Sequence, residues 1–384
     1  VYLIDCQFAI PAGVTLTFEP GTILKFSGSG GLIVLGGTVT AAGTGSDPVV
    51  FTSWRDDSSG GDTDGAGNSP SAGDWVGISI AGGTLSLVHV DVRYAGAVQA
   101  SSGSVSFTVR DSSFAHGTQL LAGTNTSGGV DATVVIENNT LTDVGVVPTN
   151  PYWVFARGAG IEVYAGGDTP AVVRNNRVSG VRGEDPGGGF AVLVSGELVP
   201  ANLTGNTGSD NDRNYLAAAG TLKTDFTFPT SGLQWENLGI TIPAGVHATV
   251  PAGVHPGVGR GGFWVLGDLS IQPGAVLKFD GHSPNSGPIY VQGGGSLTAD
   301  GTAADPITFT SWTDDSISGD TNRDGDIPPK DYTPPYGGWG GISGGSLSLV
   351  HVDVRYADVV SSGGPVFTVR DSSFAHGTQL LAGT

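Results

Sequence analysis

The stretch "LSLVHVDVRY", residues 85–94, decides the fold class of this chain. In its second part, "VHVDVRY" (88–94), valine alternates with histidine, aspartate and arginine, so apolar side chains recur at every second position. This period of two is typical of a β-strand that buries one face. Similar short apolar runs recur roughly every 20 to 25 residues, which indicates many short strands. No window shows the 3.6-residue apolar period of a helix, so we expect few helices.

The same stretch belongs to a segment that occurs twice. Residues 84–124 return almost unchanged as residues 346–384, and "DPVVFTSWRDD" (47–57) returns as "DPITFTSWTDD" (305–315). Such self-similarity is typical of repeat architectures, in which each unit packs against its neighbours. We therefore predict three segments: a first module over 1–124, a middle segment over 125–239, and a second copy of the module over 240–384.

The composition fits a chain of short strands and many turns. Glycine accounts for 65 of the 384 residues, without a collagen period, and charged residues make up only 13%. A hydrophobic share of 38% is too high for a disordered linker. Glycine adopts the left-handed backbone that tight turns require, so its abundance indicates many corners between the strands.

Together these patterns predict an all-β fold, a right-handed parallel β-helix (β-solenoid) that forms a single elongated rod with inserted loops. The asparagine pairs Asn138–Asn139 and Asn175–Asn176 follow apolar strands at like places. Asparagine tolerates left-handed backbone and can stack its amide, so we expect these pairs at the corners of successive coils. A β-sandwich array is the alternative, which the coil-length spacing disfavours.

The phrases "IPAGVTLTFEPGTILKF" (10–26) and "VVIENNTLTDV" (134–144) carry a family resemblance. They resemble the right-handed parallel β-helix repeats of large bacterial secreted and cell-surface polypeptides, and the resemblance covers nearly the whole chain. It implies the fold directly. It implies function only weakly, since the same solenoid occurs in adhesins, structural rods and polysaccharide-cleaving enzymes.

The formal net charge of −19 and the pI near 4.4 limit the partners. Nucleic acid and anionic membranes are disfavoured because like charges repel, whereas divalent cations are favoured. No apolar run is long enough for a membrane-spanning helix, so no membrane insertion is expected. The single cysteine, Cys6, excludes an internal disulfide. The acidic, lysine-poor composition, together with the loop described next, predicts an extracellular or cell-surface protein.

The acidic stretch "DTNRDGDIPPKD", residues 320–331, has the spacing of a calcium loop. Oxygen donors stand at positions one, three, five, seven and twelve, and a glycine at position six permits the sharp turn. The alternative is a solvated acidic turn. The predicted ligands of Ca²⁺ are Asp320, Asn322, Asp324, Asp326 and Asp331.

The first copy of this loop is a poorer match, because Ala66 stands where Asp324 stands in the second copy. Asp56 or Asp57 from the preceding turn could add an oxygen. Calcium would order a long loop inserted between two strands, which is a structural role. The ligands predicted for this weaker site are Asp62, Asp64, Asn68 and Asp74.

Two groups of polar residues are candidates for catalysis. The row His89, Asp91 and Arg93 recurs as 351–355, and His116 lies close to Ser112 in a stretch that also recurs. We interpret both as structural, because a period-two strand requires polar residues on its outer face and because duplication is typical of scaffold segments. A Ser–His–Asp triad needs a geometry that neighbours on one strand cannot supply. We expect no catalytic residues.

These observations predict a non-enzymatic structural or adhesive β-solenoid, a stalk or a filament-forming subunit that assembles end to end. An uncapped solenoid exposes unpaired strand edges, so the chain itself, joined head to tail, is the expected partner. Carbohydrate or other surface proteins are further possible partners. The alternatives are a polysaccharide lyase or hydrolase and a carbohydrate-binding module. The aromatic insertion of Tyr152, Trp153 and Phe155 is either a binding patch or a corner plug.

Overall fold

The computed structural model describes residues 1–67, 69–123, 130–147, 158–166, 169–183, 188–280, 286–320 and 338–382. Contacts divide the chain into two compact units, Val1–Leu216 and Ala217–Thr384. Each of the two duplicated modules lies within its own unit, and the division falls inside the middle segment.

The described strands of the first unit pair with one another in parallel, and one isolated antiparallel bridge joins Pro11 to Gly36. The described strands are β1 Tyr2–Ile4, β2 Gln7–Pro11, β3 Thr15–Phe18, β4 Ile23–Phe26, β5 Gly31–Leu35, β6 Thr38–Ala42, β7 Val49–Ser53, β8 Trp75–Val88, β9 Val90–Arg93, β10 Ala95–Arg110, β11 Ser113–Ala115, β12 Gln119–Ala122, β13 Val130–Glu137, β14 Thr140–Thr142, β15 Gly145–Val147, β16 Ala159–Gly166, β17 Val172–Arg174, β18 Arg177–Ser179, β19 Val181–Gly183, β20 Phe190–Leu198 and β21 Thr207–Ser209. The strand β22, Arg213–Leu222, crosses the boundary between the units.

Apart from β15 and β19, which pair with each other in a separate sheet, the described strands up to β21 form three long ladders that the chain visits in turn. The first ladder runs β1, β4, β7, β9, β11, β14, β18 and β21. The second contains β2, β5, the first half of β8, the first half of β10, β12, β16 and β20. The third contains β3, β6, the second halves of β8 and β10, β13 and β17. One strand from each ladder therefore makes one layer.

The second unit repeats this plan. Its strands are β23 Phe226–Thr227, β24 Gln234–Ile242, β25 His247–Val250, β26 Gly257–Val258, β27 Phe263–Val265, β28 Asp268–Ile271, β29 Val276–Phe279, β30 Ile289–Asp300, β31 Ile307–Ser311, β32 Ile342–Val350, β33 Val352–Arg355, β34 Val359–Ser362, β35 Phe367–Arg370, β36 Ser373–Ala375 and β37 Gln379–Ala382. Again three parallel ladders alternate, and they end on β36, β37 and β35.

The predicted all-β class with long parallel sheets is confirmed, and the arrangement is compatible with a β-solenoid. In the part of the chain that the structure describes, the helical content is one 3₁₀ turn, Pro200–Leu203. No described helix has the length and hydropathy to cross a membrane.

The alternating pattern of residues 85–94 places its apolar residues in the core. Val90 and Val92 are buried, while Asp91 and Arg93 on the same strand are half-buried on the outer face. Val92 aligns in register with Phe51 before it and Phe114 after it, both of which are buried. Each ladder thus contributes a column of stacked apolar side chains to the core, which is what a period of two in every strand requires.

The asparagine pairs lie at corners, as predicted. Asn138 and Asn175 adopt left-handed backbone with a φ of 57° each. The side-chain amide of the buried Asn139 donates a hydrogen bond to Oδ1 of Asn176 at 3.0 Å. The side-chain amide of Asn176 donates in the same way to Oδ1 of Asn206 at 3.0 Å. This amide ladder satisfies polar groups that would otherwise be buried without partners.

Candidate functional site

A long loop between β7 and β8 carries the acidic residues of the first copy. It begins at Trp54 directly after β7 and ends at Asp74 before β8. Asp57, Asp62 and Asp64 each bring one carboxylate oxygen to within 4.8 Å of the others. Asp57 and Asp62 are exposed and Asp64 is half-buried. Three clustered carboxylates are the hard oxygen donors that Ca²⁺ takes in proteins.

The local backbone holds two of these carboxylates in place. The amide nitrogen of Gly65 donates to Oδ1 of Asp62 at 2.7 Å, and that of Ala66 donates to Oδ1 of Asp64 at 2.9 Å. These short-range bonds close tight turns, a behaviour that aspartate favours because its side chain can reach the backbone two or three residues on. The loop therefore presents one carboxylate from the preceding turn, Asp57, beside two from its own tip.

One residue predicted for the weaker site, Asp74, does not belong to this group. Asp74 accepts hydrogen bonds from Ser53 Oγ at 2.9 Å and from the backbone of Ser71 at 3.1 Å, and it pairs with Arg55 at 3.2 Å. Its carboxylate therefore fastens the end of the loop to β7. Asn68 lies outside the described residues.

Beneath the acidic cluster, a buried carboxylate fixes the start of the loop. Asp56 accepts hydrogen bonds from Thr52 Oγ1 at 2.6 Å and from Ser58 Oγ at 2.5 Å, and Arg93 Nη1 lies 3.5 Å from Asp56 Oδ2. Burial acts to raise the pKa of Asp56, but the bonds from Ser58 and Thr52 and the charge of Arg93 outweigh burial and lower it. Asp56 is thus a structural anion next to the exposed Asp57.

A buried lysine fixes the middle of the same loop. Lys25 on β4 is fully buried, and its ammonium donates a hydrogen bond to the carbonyl oxygen of Gly61. Thr63 Oγ1 donates to the carbonyl oxygen of Trp54 at 2.7 Å, which closes the loop on itself. The acidic cluster therefore rests on a fixed base, although its own carboxylates face solvent.

The second unit repeats this base. Thr310 Oγ1 donates to Asp314 at 2.6 Å, and Lys278 Nζ donates to the carbonyl oxygen of Gly319 at 2.6 Å. Burial lowers the pKa of Lys278, against the opposing charges of nearby aspartates. Arg355 lies 3.7 Å from Asp314, as Arg93 lies near Asp56 in the first unit.

Of the ligands predicted for the strong site, Asp320 is exposed directly after this base. Outside the described residues lie Asn322, Asp324, Asp326 and Asp331.

The candidate catalytic row is occupied by structural contacts. Arg93 Nε donates to Asp91 at 2.9 Å, and this bond is the main reason why the pKa of Arg93 is raised. His89 adopts left-handed backbone with a φ of 49°, which places it at a corner. Arg355 Nε donates to Asp353 at 2.7 Å in the second unit. A guanidinium held by two carboxylates is a poor proton acceptor, so the row fits its structural interpretation.

The serine and histidine residues near the corner have separate partners. Ser112 Oγ donates to the carbonyl oxygen of Arg110 at 2.6 Å, and Ser113 Oγ donates to Asp91 at 3.0 Å. His116 Nδ1 lies 3.1 Å from Asp143. None of these bonds joins a serine to His116, as a nucleophile and its base would be joined. The aromatic insertion with Tyr152, Trp153 and Phe155 lies outside the described residues.

Two of the cavities among the described residues lie in the first unit. One, of about 450 Å³, is a polar groove that runs along a corner past His89, Asp91, Asp111, Ser113 and Asn138. The other, of about 420 Å³, is mainly apolar and opens at the first layer. Residues that line this second cavity include Tyr2, Phe8, Leu16, Phe18 and Leu24.

The apolar cavity belongs to an end face at which the three ladders begin. Among the described residues, β1, β2 and β3 each pair on one side only, with β4, β5 and β6. Tyr2 is 64% exposed and Phe8 is 48% exposed, although both stand in columns that are buried in the following layers. We call the surface formed by β1, β2 and β3 the leading face.

The ladders of the second unit end in the same way. In the described chain, β35, β36 and β37 pair only with β32, β33 and β34. Leu380 is 44% exposed here, whereas Leu120, its counterpart in the duplicated stretch of the first unit, is fully buried. We call the surface formed by β35, β36 and β37 the trailing face.

Sequence reasoning missed the buried lysines, and it considered Asp56 as an oxygen donor rather than as a buried anchor. A strand period of two places Lys25 on the outer face between Leu24 and Phe26, so only the overlying loop explains its burial. One sequence signal could have identified the buried lysine. The motif "LKF" at 24–26 is repeated exactly at 277–279, and in both copies an inserted loop follows it. Comparison of the chain with protein-family models, with curated proteins and with solved structures found no match.

Proposed function

We propose that this chain is a non-enzymatic, extracellular structural or adhesive protein, a right-handed parallel β-helix that serves as a stalk or as a subunit assembling end to end. The observation that carries the proposal is the pair of open apolar faces. Unpaired N–H and C=O groups on an edge strand form a template for another chain, and natural proteins usually cover or charge such edges. Here the leading and trailing faces instead expose apolar side chains, among them Phe8 and Leu380.

The duplicated stretch supports this reading. Leu120 and Leu380 stand in the same sequence, but in the described chain a further strand pairs beyond Leu120 and none pairs beyond Leu380. A face that is buried in one copy and exposed in the other is suited to receive a further layer of parallel strands. The right hand of the proposed helix rests on a general rule, since connections between parallel strands of one sheet are right-handed in nearly all proteins.

Calcium has a structural role in this proposal. Asp57, Asp62 and Asp64 would bind Ca²⁺ and order the loop above the anchored Asp56, and the loop of the second unit would bind a second ion. Calcium is abundant outside cells, which agrees with an extracellular location and with the net charge of −19. Ordering of a long loop by an ion stabilises the folded state because the unfolded chain lacks the site.

Sedimentation velocity and electron microscopy of the purified chain test this function. We expect association that grows with protein concentration and linear assemblies in micrographs. Phe8→Lys on the leading face should abolish association. Val76→Lys is the matched control, because Val76 is similarly exposed, at 46%, but points outward from the middle of a ladder. A monomer at every concentration, with and without calcium, would contradict the proposal.

A second candidate function is carbohydrate binding in the polar groove beside His89. The groove combines carboxylates, a hydroxyl and an amide, which are the groups that hydrogen-bond sugar hydroxyls. Binding of soluble polysaccharides, lost in Asp111→Ala, would favour this function. The same incubation tests the lyase and hydrolase alternative, for which new reducing ends or unsaturated products would be the sign. We expect neither product.

A further inference from the structure

The duplicated stretch records how the trailing face is covered when another layer follows it. In the first unit, Phe107, Phe114 and Leu120 align in register with Val134, Leu141 and Ile161 of the next layer. The corresponding residues of the trailing face, one on each ladder, are Phe367, Phe374 and Leu380. Because the strands and the inward residues are the same, the trailing face can receive a parallel layer without rearrangement.

The leading face has an internal counterpart of its own. The stretch "FAIPAGVTLTF" at 8–18 matches "ITIPAGVHATV" at 240–250, and both contain a turn closed by a valine N–H to proline C=O bond of 3.1 Å. In the second unit, Ile240 is buried. Phe8 takes its place in the first unit and is exposed above the apolar cavity. Among the described strands, the counterpart of β2 in the second unit, β24, also pairs with the earlier strand β22, whereas β2 pairs with β5 alone.

The columns of the two faces can be continued into one another. Within the first unit, the column of Leu120 runs back through Val98, Ile78 and Leu32 to Phe8. Leu380 is the counterpart of Leu120, so it occupies the same column position. A second copy that continues this column beyond Leu380 would therefore place its Phe8 next to Leu380. By the same reasoning, the column of Phe374 would continue with Tyr2 of the second copy, and the column of Phe367 would continue with its Leu16. The two faces agree in ladder number, strand direction and inward residues.

The charges at the edge of the third ladder agree as well. In the first unit, Arg110 at the end of β10 is in register with Glu137 of the next layer, and their side chains pair at 3.1 Å. The side chain of Arg370, the counterpart of Arg110, is 69% exposed, and the acidic group that it meets among the described residues is Asp371, at 3.8 Å. The residue at the matching position of the leading face is Glu19, which follows Phe18 directly and is exposed. A glutamate would therefore face Arg370, as Glu137 faces Arg110.

We propose that the trailing face of one copy stacks in register on the leading face of a second copy, with Leu380 on Phe8, Phe374 on Tyr2 and Arg370 opposite Glu19. This inference rests on the proposed end-to-end assembly and names its partner and its register. The two surfaces differ, so the contact is heterologous and each added copy exposes a new face. The alternative occupant, strands of a longer polypeptide, is an outcome of the test below.

A pair of cysteines traps the register. Ala9 and Leu381 stand in the same column, both exposed, and neighbouring parallel strands place such Cα atoms about 4.8 Å apart, which a disulfide spans. The variant Ala9→Cys with Leu381→Cys is made with Cys6→Ser, because Cys6 is a free exposed cysteine. Mild oxidation should give disulfide-linked multimers. In the out-of-register control, Val14→Cys replaces Ala9→Cys, and at least tenfold less product is expected.

Charge reversal gives a second measurement that does not require a crosslink. Glu19→Arg and Arg370→Glu should each weaken self-association about fivefold at low salt, because like charges would face each other. A mixture of the two variants should recover association to within about twofold of the natural chain, since a contact between two unlike variants again joins opposite charges and the stack can alternate between them. Circular dichroism checks that each variant folds, and neither change touches a core residue.

The outcomes separate this inference from the proposed function. In-register crosslinks together with recovery in the mixture support the stacking. If copies assemble but the control pair crosslinks as well, or the mixture stays weak, the register is overturned while end-to-end assembly stands. If the chain stays monomeric at every concentration, both proposals fail, and strands of a longer polypeptide become the occupant of the trailing face.

Discussion

The ammonium of Lys25 donates a hydrogen bond to the carbonyl oxygen of Gly61, and these two residues lie 36 positions apart in the chain. Lys278 and Gly319 repeat the contact in the second unit at 2.6 Å. In both units a buried cation therefore connects an early strand to the middle of an inserted loop. The lysine hydrogen bond therefore holds the middle of the loop in place without a bound ion.

Replacing this lysine should loosen the loop more than the fold. Lys25→Met keeps the buried hydrocarbon but removes the hydrogen bond, and it also removes the cost of burying a charge. We expect amides near Gly61 to exchange hydrogen at least tenfold faster, with a change in unfolding free energy below about 1.5 kcal/mol. Hydrogen exchange with mass spectrometry measures both copies, and Lys278→Met is the matched variant. Unchanged exchange near Gly61 would contradict the anchoring role.

Asp56 should make stability depend on acid. Its pKa is lowered in the folded state, so its carboxylate contributes stability above the ordinary value of about 3.9 and loses that contribution as the pH falls through the lowered value. Asp56→Asn should therefore destabilise the protein by about 1–3 kcal/mol at pH 7. The gap to the natural chain should shrink below pH 4. Urea unfolding at pH 7 and pH 3 tests this, and a gap that widens in acid would refute it.

Calcium should raise the thermal stability through Asp57, Asp62 and Asp64. At a tenfold excess over Kd, binding adds about 1.4 kcal/mol, which corresponds to a rise in Tm of about 2 °C or more. Asp62→Asn should reduce the rise. Asp5→Asn is the control with the same change of charge at an exposed residue outside the cluster. Differential scanning calorimetry in calcium and in chelator measures the effect, and equal melting in both would remove calcium from the proposal.

The amide ladder predicts a sharp contrast between neighbours. Asn139→Ala leaves the amide of Ser112 and the carbonyl of Val109 without their side-chain partner, and should cost about 2–4 kcal/mol. Asn138→Gly should cost less than about 0.5 kcal/mol, because glycine adopts the left-handed backbone that Asn138 has. Thermal unfolding of the two variants distinguishes them. If the two variants were destabilised equally, the hydrogen bonds of the amide ladder would contribute no more stability than the left-handed corner residue does.

Much of the local structure could be predicted from residue pattern. The alternation at 85–94 specified β-strands with Val90 and Val92 inside, because a strand places successive side chains on opposite faces. The pairs at 138–139 and 175–176 specified corners, because asparagine tolerates left-handed backbone. The duplication specified two similar modules. These features follow from short-range geometry and need no knowledge of distant contacts.

Other features depended on which segments meet in space. Asp56 and Asp57 are neighbours, yet one is a buried anchor and the other an exposed member of the acidic cluster. Lys25 is buried because a loop more than thirty residues away covers it.

By itself, then, the sequence determined the strands, their inward faces, the corners and the repeat, since each is set by a residue and its near neighbours. Only the tertiary structure decided whether an inward side chain is buried, because its burial depends on whether another layer of strands packs on it. Leu120 and Leu380 stand in identical sequence, and their burial differs because Ile161 covers the first, whereas no described strand follows the second.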